Sequence, residues 1–274
     1  MGMEINRAAQ EWETYIEDVQ GKTSAFCIDM AWHDRGLIPA KTCLWEVTVF
    51  LRSPRKDGLE RPEEGDALED MGDALEADMA THWGAHMVGW VTRDGVREFY
   101  FYMKPPERSE KCVETLTQTM QEFPGYQHHW KVEHDPEWSL YFSFLYPGPA
   151  QLRWIQDRRG VRDLDSQGDI ASRYRPIHHW MHFAAEEGRD QMLDYVERQG
   201  FEMVDAHEEA DTELPYWLEI VREDKATMLT VNAITMELSH LAAQLVGEYD
   251  GWGCKSVKWF HALLGKGKPP AENT

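Results

Sequence analysis

The dipeptide Asp94-Gly95 constrains this chain more than any other feature. It lies between His86–Val91 and Val96–Tyr102, two runs rich in β-branched and aromatic side chains. Asp-Gly adopts the paired left-handed conformations of a type I′ turn, whose twist matches two antiparallel strands, so a hairpin is expected here. Upstream, Cys43–Leu51 alternates as a strand, with Trp45, Val47, Val49 and Leu51 on one face and Leu44 and Phe50 on the other. Pro62 with Glu63 and Glu64 starts a helix, because proline needs no amide donor there and carboxylates suit the positive dipole end. Leu68, Met71, Leu75 and Met79 form its buried stripe, ending near Trp83. Val113, Leu116, Met120 and Phe123 mark a second helix, stopped at Pro124-Gly125, and Tyr126–Glu133 and Trp138–Tyr146 read as strands around Asp135-Pro136. From Cys43 the order is β-α-β-β-α-β, a split βαβ pair of ferredoxin-like type. Trp12–Val19 and Ser24–Ala31 read as further strands, so the sheet is expected to grow at each end.

Pro147-Gly148-Pro149 sets a stiff break and divides the chain into residues 1–148 and 149–274. The second part opens with a helix, Ala150 to about Gln167, carrying the basic cluster Arg153, Arg158, Arg159 and Arg162. That cluster suits a phosphate or, better, the acidic first domain. Tyr174–Ala184, Phe201–His207 and Tyr216–Arg222 read as strands, and Gln191–Gln199 as a helix ending at Gly200. Ile234, Leu238, Leu241, Ala242 and Leu245 give the stripe of a last helix, with Gly247 expected as its left-handed cap and Cys254–Phe260 as a final strand. The order β-α-β-β-α-β recurs without evident sequence repetition. The expected fold class is α+β: two tandem ferredoxin-like α/β sandwich domains, the first with extra strands.

With 28 basic and 49 acidic side chains the 274-residue chain carries a formal charge of −21, which disfavours direct contact with nucleic-acid phosphates. Cys27, Cys43, Cys112 and Cys254 are too scattered for a zinc site and read as reduced thiols. Met1–Gln20 lacks the apolar core of a signal peptide, and no run approaches the roughly 18 apolar residues of a membrane helix. The reading is a cytoplasmic protein.

In a strand, His178, Trp180 and His182 share a face opposite His179, Met181 and Phe183. Two imidazoles so placed suit a metal, but no third ligand stands at a definite spacing, and hydrogen-bonded sheet histidines explain them better. The outer face of the Pro62 helix, with Glu69, Asp70, Asp73, Glu76 and Asp78, reads as a solvated surface ahead of a docking face or a divalent-metal surface. There is no nucleophile motif, phosphate loop or dinucleotide fingerprint, so enzyme activity is unsupported and no cofactor is expected.

Recognition remains. The octapeptide Gly247-Glu248-Tyr249-Asp250-Gly251-Trp252-Gly253-Cys254 sets aromatics beside carboxylates. It reads either as packing at the domain edge or as a partner-binding surface. Together with Arg175-Pro176-Ile177-His178-His179-Trp180-Met181-His182-Phe183 and Gly200-Phe201, it resembles the bacterial family called regulator of ribonuclease activity B. That resemblance, over roughly the last third of the chain, implies a small acidic α/β domain that binds ribonuclease E and restrains it. Asp94-Gly95-Val96-Arg97-Glu98-Phe99-Tyr100-Phe101-Tyr102 and Asp135-Pro136-Glu137-Trp138-Ser139-Leu140-Tyr141 resemble a bacterial domain-of-unknown-function family, number six-nine-five, from Trp12 to Pro147. That family implies a domain and no activity. The expected function is an acidic protein-binding regulator that docks a basic region of a ribonuclease, or its basic scaffold region. Glu248, Tyr249, Asp250 and Trp252 are the expected binding residues, with Arg175 and His179 as matched family positions. The alternative is a hydrolase or metal-dependent enzyme with a site at the domain interface. A third option leaves the biological role to the first domain alone.

Overall fold

The computed structural model describes residues 10–107 and 109–258 and divides into two compact units, Met1–Gln151 and Leu152–Thr274. The first unit runs β1 (Trp12–Val19), β2 (Lys22–Asp29), α1 (Ala31–Arg35), β3 (Cys43–Phe50), α2 (Pro62–Trp83), β4 (His86–Arg93), β5 (Val96–Met103), α3 (Ser109–Gln121) and β6 (His128–His134). Its antiparallel sheet has the order β1-β2-β4-β5-β3-β6. Strands β4, β5, β3 and β6 are the ferredoxin-like set, and the β4–β5 hairpin turns at Asp94 (φ 51°) and Gly95 (φ 81°), as expected for type I′. Trp45, Val47 and Val49 are fully buried in one core with Leu68, Met71 and Leu75 of α2 and Leu116 of α3.

Trp138–Tyr146 is not a strand. It ends in a π-helical turn, Tyr141–Leu145, entered through Trp138 in the left-handed region at φ 53°. Trp138, Tyr141 and Leu145 recur at three and four residues, a helical spacing, and all three are fully buried. The Trp138 ring stacks on Tyr102 at 4.2 Å and its indole N–H donates to the Lys41 carbonyl at 2.8 Å. Tyr141 donates to the Asp29 carbonyl (2.8 Å) and Tyr15 to that of Leu145 (2.7 Å). Burying these large rings with satisfied polar tips outweighs the alternation that suggested a strand. The sheet therefore grows only beyond β4, and this segment covers its second face.

The second unit contains α4 (Pro149–Ser166), which begins just before it, β7 (Tyr174–Phe183), α5 (Glu186–Arg198), β8 (Glu202–Glu208), β9 (Tyr216–Lys225), α6 (Met228–Gln244) and β10 (Gly247–Gly253). Its sheet order, β10-β7-β9-β8, is again ferredoxin-like and antiparallel. Met181, Phe183, Met192, Val196, Leu218, Ile220 and Leu238 make the core. Two expectations about its end are corrected. The left-handed residue after α6 is Val246 (φ 56°), not Gly247, and Gly247–Gly253 of the octapeptide forms the last strand. Residues 254–258 are irregular, and Trp259 and Phe260 lie outside the described residues. Gly247 is needed for space, since a Cβ there would sit 2.5 Å from the His182 carbonyl oxygen and against the Phe183 ring.

Candidate functional site

Along β7 the odd positions Arg175, Ile177, His179, Met181 and Phe183 are buried, whereas Tyr174, His178, Trp180 and His182 face outwards. Register carries that split to the neighbouring strands. Tyr249 and Trp252 pair with Met181 and His179 and so turn inwards, while Glu248 pairs with outward His182. Asp250 occupies a bulge between Tyr249 and Gly251 and is exposed.

Tyr249 is therefore not an exposed aromatic. It is 3 % exposed, its hydroxyl pairs with His179 Nδ1 at 2.7 Å, and the Arg153 guanidinium lies 4.6 Å from its ring centroid. Burial pushes the phenol well above its usual range and the His179 imidazole down to about 3, so both are neutral near pH 7. Arg175 is also internal: it pairs with Asp169 and donates to the Ile170 carbonyl at 2.5 Å. Asp169 in turn accepts the Val257 amide at 2.6 Å, tying the segment after β10 to the start of β7. Trp252 is half-buried and donates from Nε1 to Asp157 at 3.0 Å, lying so close to α4 that a Cβ at Gly160 would sit 2.9 Å from its ring. Asp157, fully buried and not singled out from the sequence, also accepts from Asn232 at 2.9 Å and Thr235 at 2.5 Å. Of the six expected binding residues, Glu248 and Asp250 are exposed. Tyr249, His179 and Arg175 are interior, and Trp252 bridges the two.

The sheet face opposite α5 and α6 carries a different set. Trp180, Trp217 and Tyr174 stand on it with His178, His182 and His207. His182 packs edge-on to Trp217 at 4.6 Å, His178 pairs with Glu219 at 2.7 Å, and Trp180 spreads over Gly253, where a Cβ would meet its ring at 2.9 Å. Glu219, Glu223, Asp205 and Glu248 share this face by register. Four-stranded sheets of this order offer aromatics to RNA bases in one common module. Here the interleaved carboxylates oppose phosphate and suit cationic groups instead. The alternation of His178, Trp180 and His182 was legible in sequence; Trp217 joins them only through the β7–β9 register. Among the described residues, no group of three or more His, Cys, Asp or Glu side chains is placed to hold a metal ion.

Both domains are thus ferredoxin-like α+β sandwiches. The chain belongs to the family of unknown function DUF695, whose match spans residues 10–146, half of its 274 residues. Residues 154–254 match a second family, regulator of ribonuclease activity B, which takes in all the elements from β7 to β10 and most of α4. No curated protein matches the chain. Solved structures similar to it include a candidate glycine cleavage system transcriptional repressor, 8 % identical, with 78 % of this chain and 98 % of that one covered at a TM-score of 0.24. An unknown protein from Galdieria sulphuraria is also 8 % identical, with 78 % and 99 % covered at 0.22.

Proposed function

We propose that residues 149–274 form a protein-binding domain that modulates a ribonuclease of the ribonuclease E type by docking a basic segment of it. The observation that carries this reading is the family match over residues 154–254, on a domain whose sheet face opposite α5 and α6 sets Trp180 and Trp217 among carboxylates. A lysine- or arginine-rich segment lies across such a face with its cations against indole rings and carboxylates and its stems against apolar surface. Glu248 and Asp250 add charge at the rim, whereas Tyr249, His179, Arg175 and Trp252 hold β10 in the register that presents them. The chain's charge of −21 speeds encounter with a basic partner and repels the RNA substrate. No helix among the described residues is long and apolar enough to cross a membrane. The proposed setting is the cytoplasm.

RNA cleavage by purified ribonuclease E, measured against increasing concentrations of this protein, tests the reading. Inhibition is expected, weakened by salt and lost in the Trp180→Ala, Trp217→Ala double variant. Unchanged cleavage, or equal inhibition by that variant, overturns it.

A further inference from the structure

The first domain carries a concave site of its own, independent of the reading above. Between α2 and strands β1, β2 and β4 runs a groove of about 370 Å³. Its floor includes Trp12, Cys27, Met87 and Trp90, with the Trp12 and Trp90 rings 5.2 Å apart. Its rim is a row of carboxylates on α2, Glu69, Asp73 and Glu76, whose spacing of four and three residues puts them on one face. The seven steps from Glu69 to Glu76 rise about 10 Å along the helix. Among the described residues lining this groove there is no lysine or arginine, and the cation beside its outer end, Arg97, pairs with Glu60 and has its guanidinium 5.9 Å from the Trp90 ring centroid.

At its inner end the groove shares Glu76 and Met87 with a second cavity of about 110 Å³. Asp29 and His86 stand in the wall of that cavity. Asp29 is fully buried: Oδ1 accepts the amides of Glu11 (2.8 Å) and Ala31 (3.2 Å), whereas Oδ2 has no protein partner. His86 is 8 % exposed and its Nε2 also lacks a protein partner. Burial, with Lys41 and Arg35 nearby, pushes this imidazole down to about 4, so it is neutral at pH 7. Arg35 shares this wall with its guanidinium over the Trp32 ring at 5.7 Å, and Glu76 already accepts one hydrogen bond, from Gln10 at 2.8 Å.

A buried carboxylate oxygen calls for a donor. The carboxylate row rejects anions, and the indole rings favour cations and methylene chains. We propose that the groove binds a linear alkyl di- or triamine: one ammonium donates to Asp29 and Glu76, the chain crosses Trp12 and Trp90, and an outer ammonium meets Glu69 and Asp73. A lysine side chain presents the same headgroup, but it has one ammonium where the row offers two places. The occupant is therefore the free amine.

Titration of the full chain with spermidine, followed by tryptophan fluorescence and calorimetry, tests this. Saturable one-to-one binding is expected, with no competition from the uncharged 1,8-octanediol. Glu76→Gln, and separately the Glu69→Gln, Asp73→Asn pair, should each weaken it about tenfold, and Asp70→Asn, exposed on the same helix, should leave it within about twofold. Asp29 also holds two backbone amides, so the rim variants carry the test, with circular dichroism confirming their fold. Absence of saturation at millimolar spermidine overturns the proposal. An equal loss in Asp70→Asn also does, because it marks general attraction to an acidic chain. Tighter binding of Nα-acetyl-lysine amide, with its free ε-ammonium, than of spermidine overturns the free amine as occupant.

Discussion

Asp157 holds together three elements that are distant in sequence. One oxygen accepts from Trp252 on β10, and the other from Asn232 and Thr235 on α6, so a single carboxylate fastens α4 to both. Asp157→Ala would leave three donors unpaired in the interior, and a loss of about 3 kcal/mol or more is expected in urea unfolding. A loss below about 1 kcal/mol would show that water replaces the carboxylate. His179 gives a second prediction at this scale. Its folded-state pKa, about 3, lies below the unfolded value near 6.5, so as pH falls the unfolded chain takes up the proton first. Stability is therefore full above about pH 6.5 and declines below it, levelling near pH 3. At pH 5 this group accounts for a loss of about 2 kcal/mol relative to pH 7. Comparing His179→Asn with the parent at both pH values isolates that share, and an unchanged difference in the variant would assign it to other groups.

β10 shows how neighbours override composition. Three glycines within Gly247–Cys254 argue for a turn, because glycine weakens strands. The space they leave is taken by partners: Phe183 lies against Gly247 and Trp180 over Gly253. Gly247→Ala is expected to destabilise the second domain by about 2 kcal/mol or more, since the His182 carbonyl cannot move without breaking the β7 ladder. Denaturant unfolding measures it, and Gly251→Ala, where nothing lies within 4 Å, serves as the neutral reference. The Asp94-Gly95 hairpin, the Pro62 helix start and both β-α-β-β-α-β orders were legible because local chemistry and tertiary packing agree there. Trp138–Tyr146 was not, because its rings answer to Tyr102 and to the Lys41 and Asp29 carbonyls, all remote in sequence. Asp157 was hidden for the same reason, its donors lying 75, 78 and 95 residues away.

The two domains use one strand order for different ends. In the first, Trp138, Tyr141 and Leu145 pack on the sheet face that in the second carries Trp180 and Trp217, and the concave site lies beside α2. Each domain has its own apolar core, one around Trp45 and Leu75 and the other around Met181 and Leu218. Separate cores give separate cooperative units unless an interface couples them. Calorimetry of the full chain is therefore expected to show two transitions, with Asp157→Ala lowering the midpoint of one and leaving the other in place. The lowered transition should match that of a 149–274 fragment, and that fragment should retain the effect on ribonuclease E. Spermidine should raise only the other midpoint, because a ligand stabilises the unit whose folded form binds it. A single transition that Asp157→Ala and spermidine both shift would mean that the domains unfold as one body, and that a ligand in the first groove is energetically linked to the Trp180 and Trp217 face of the second.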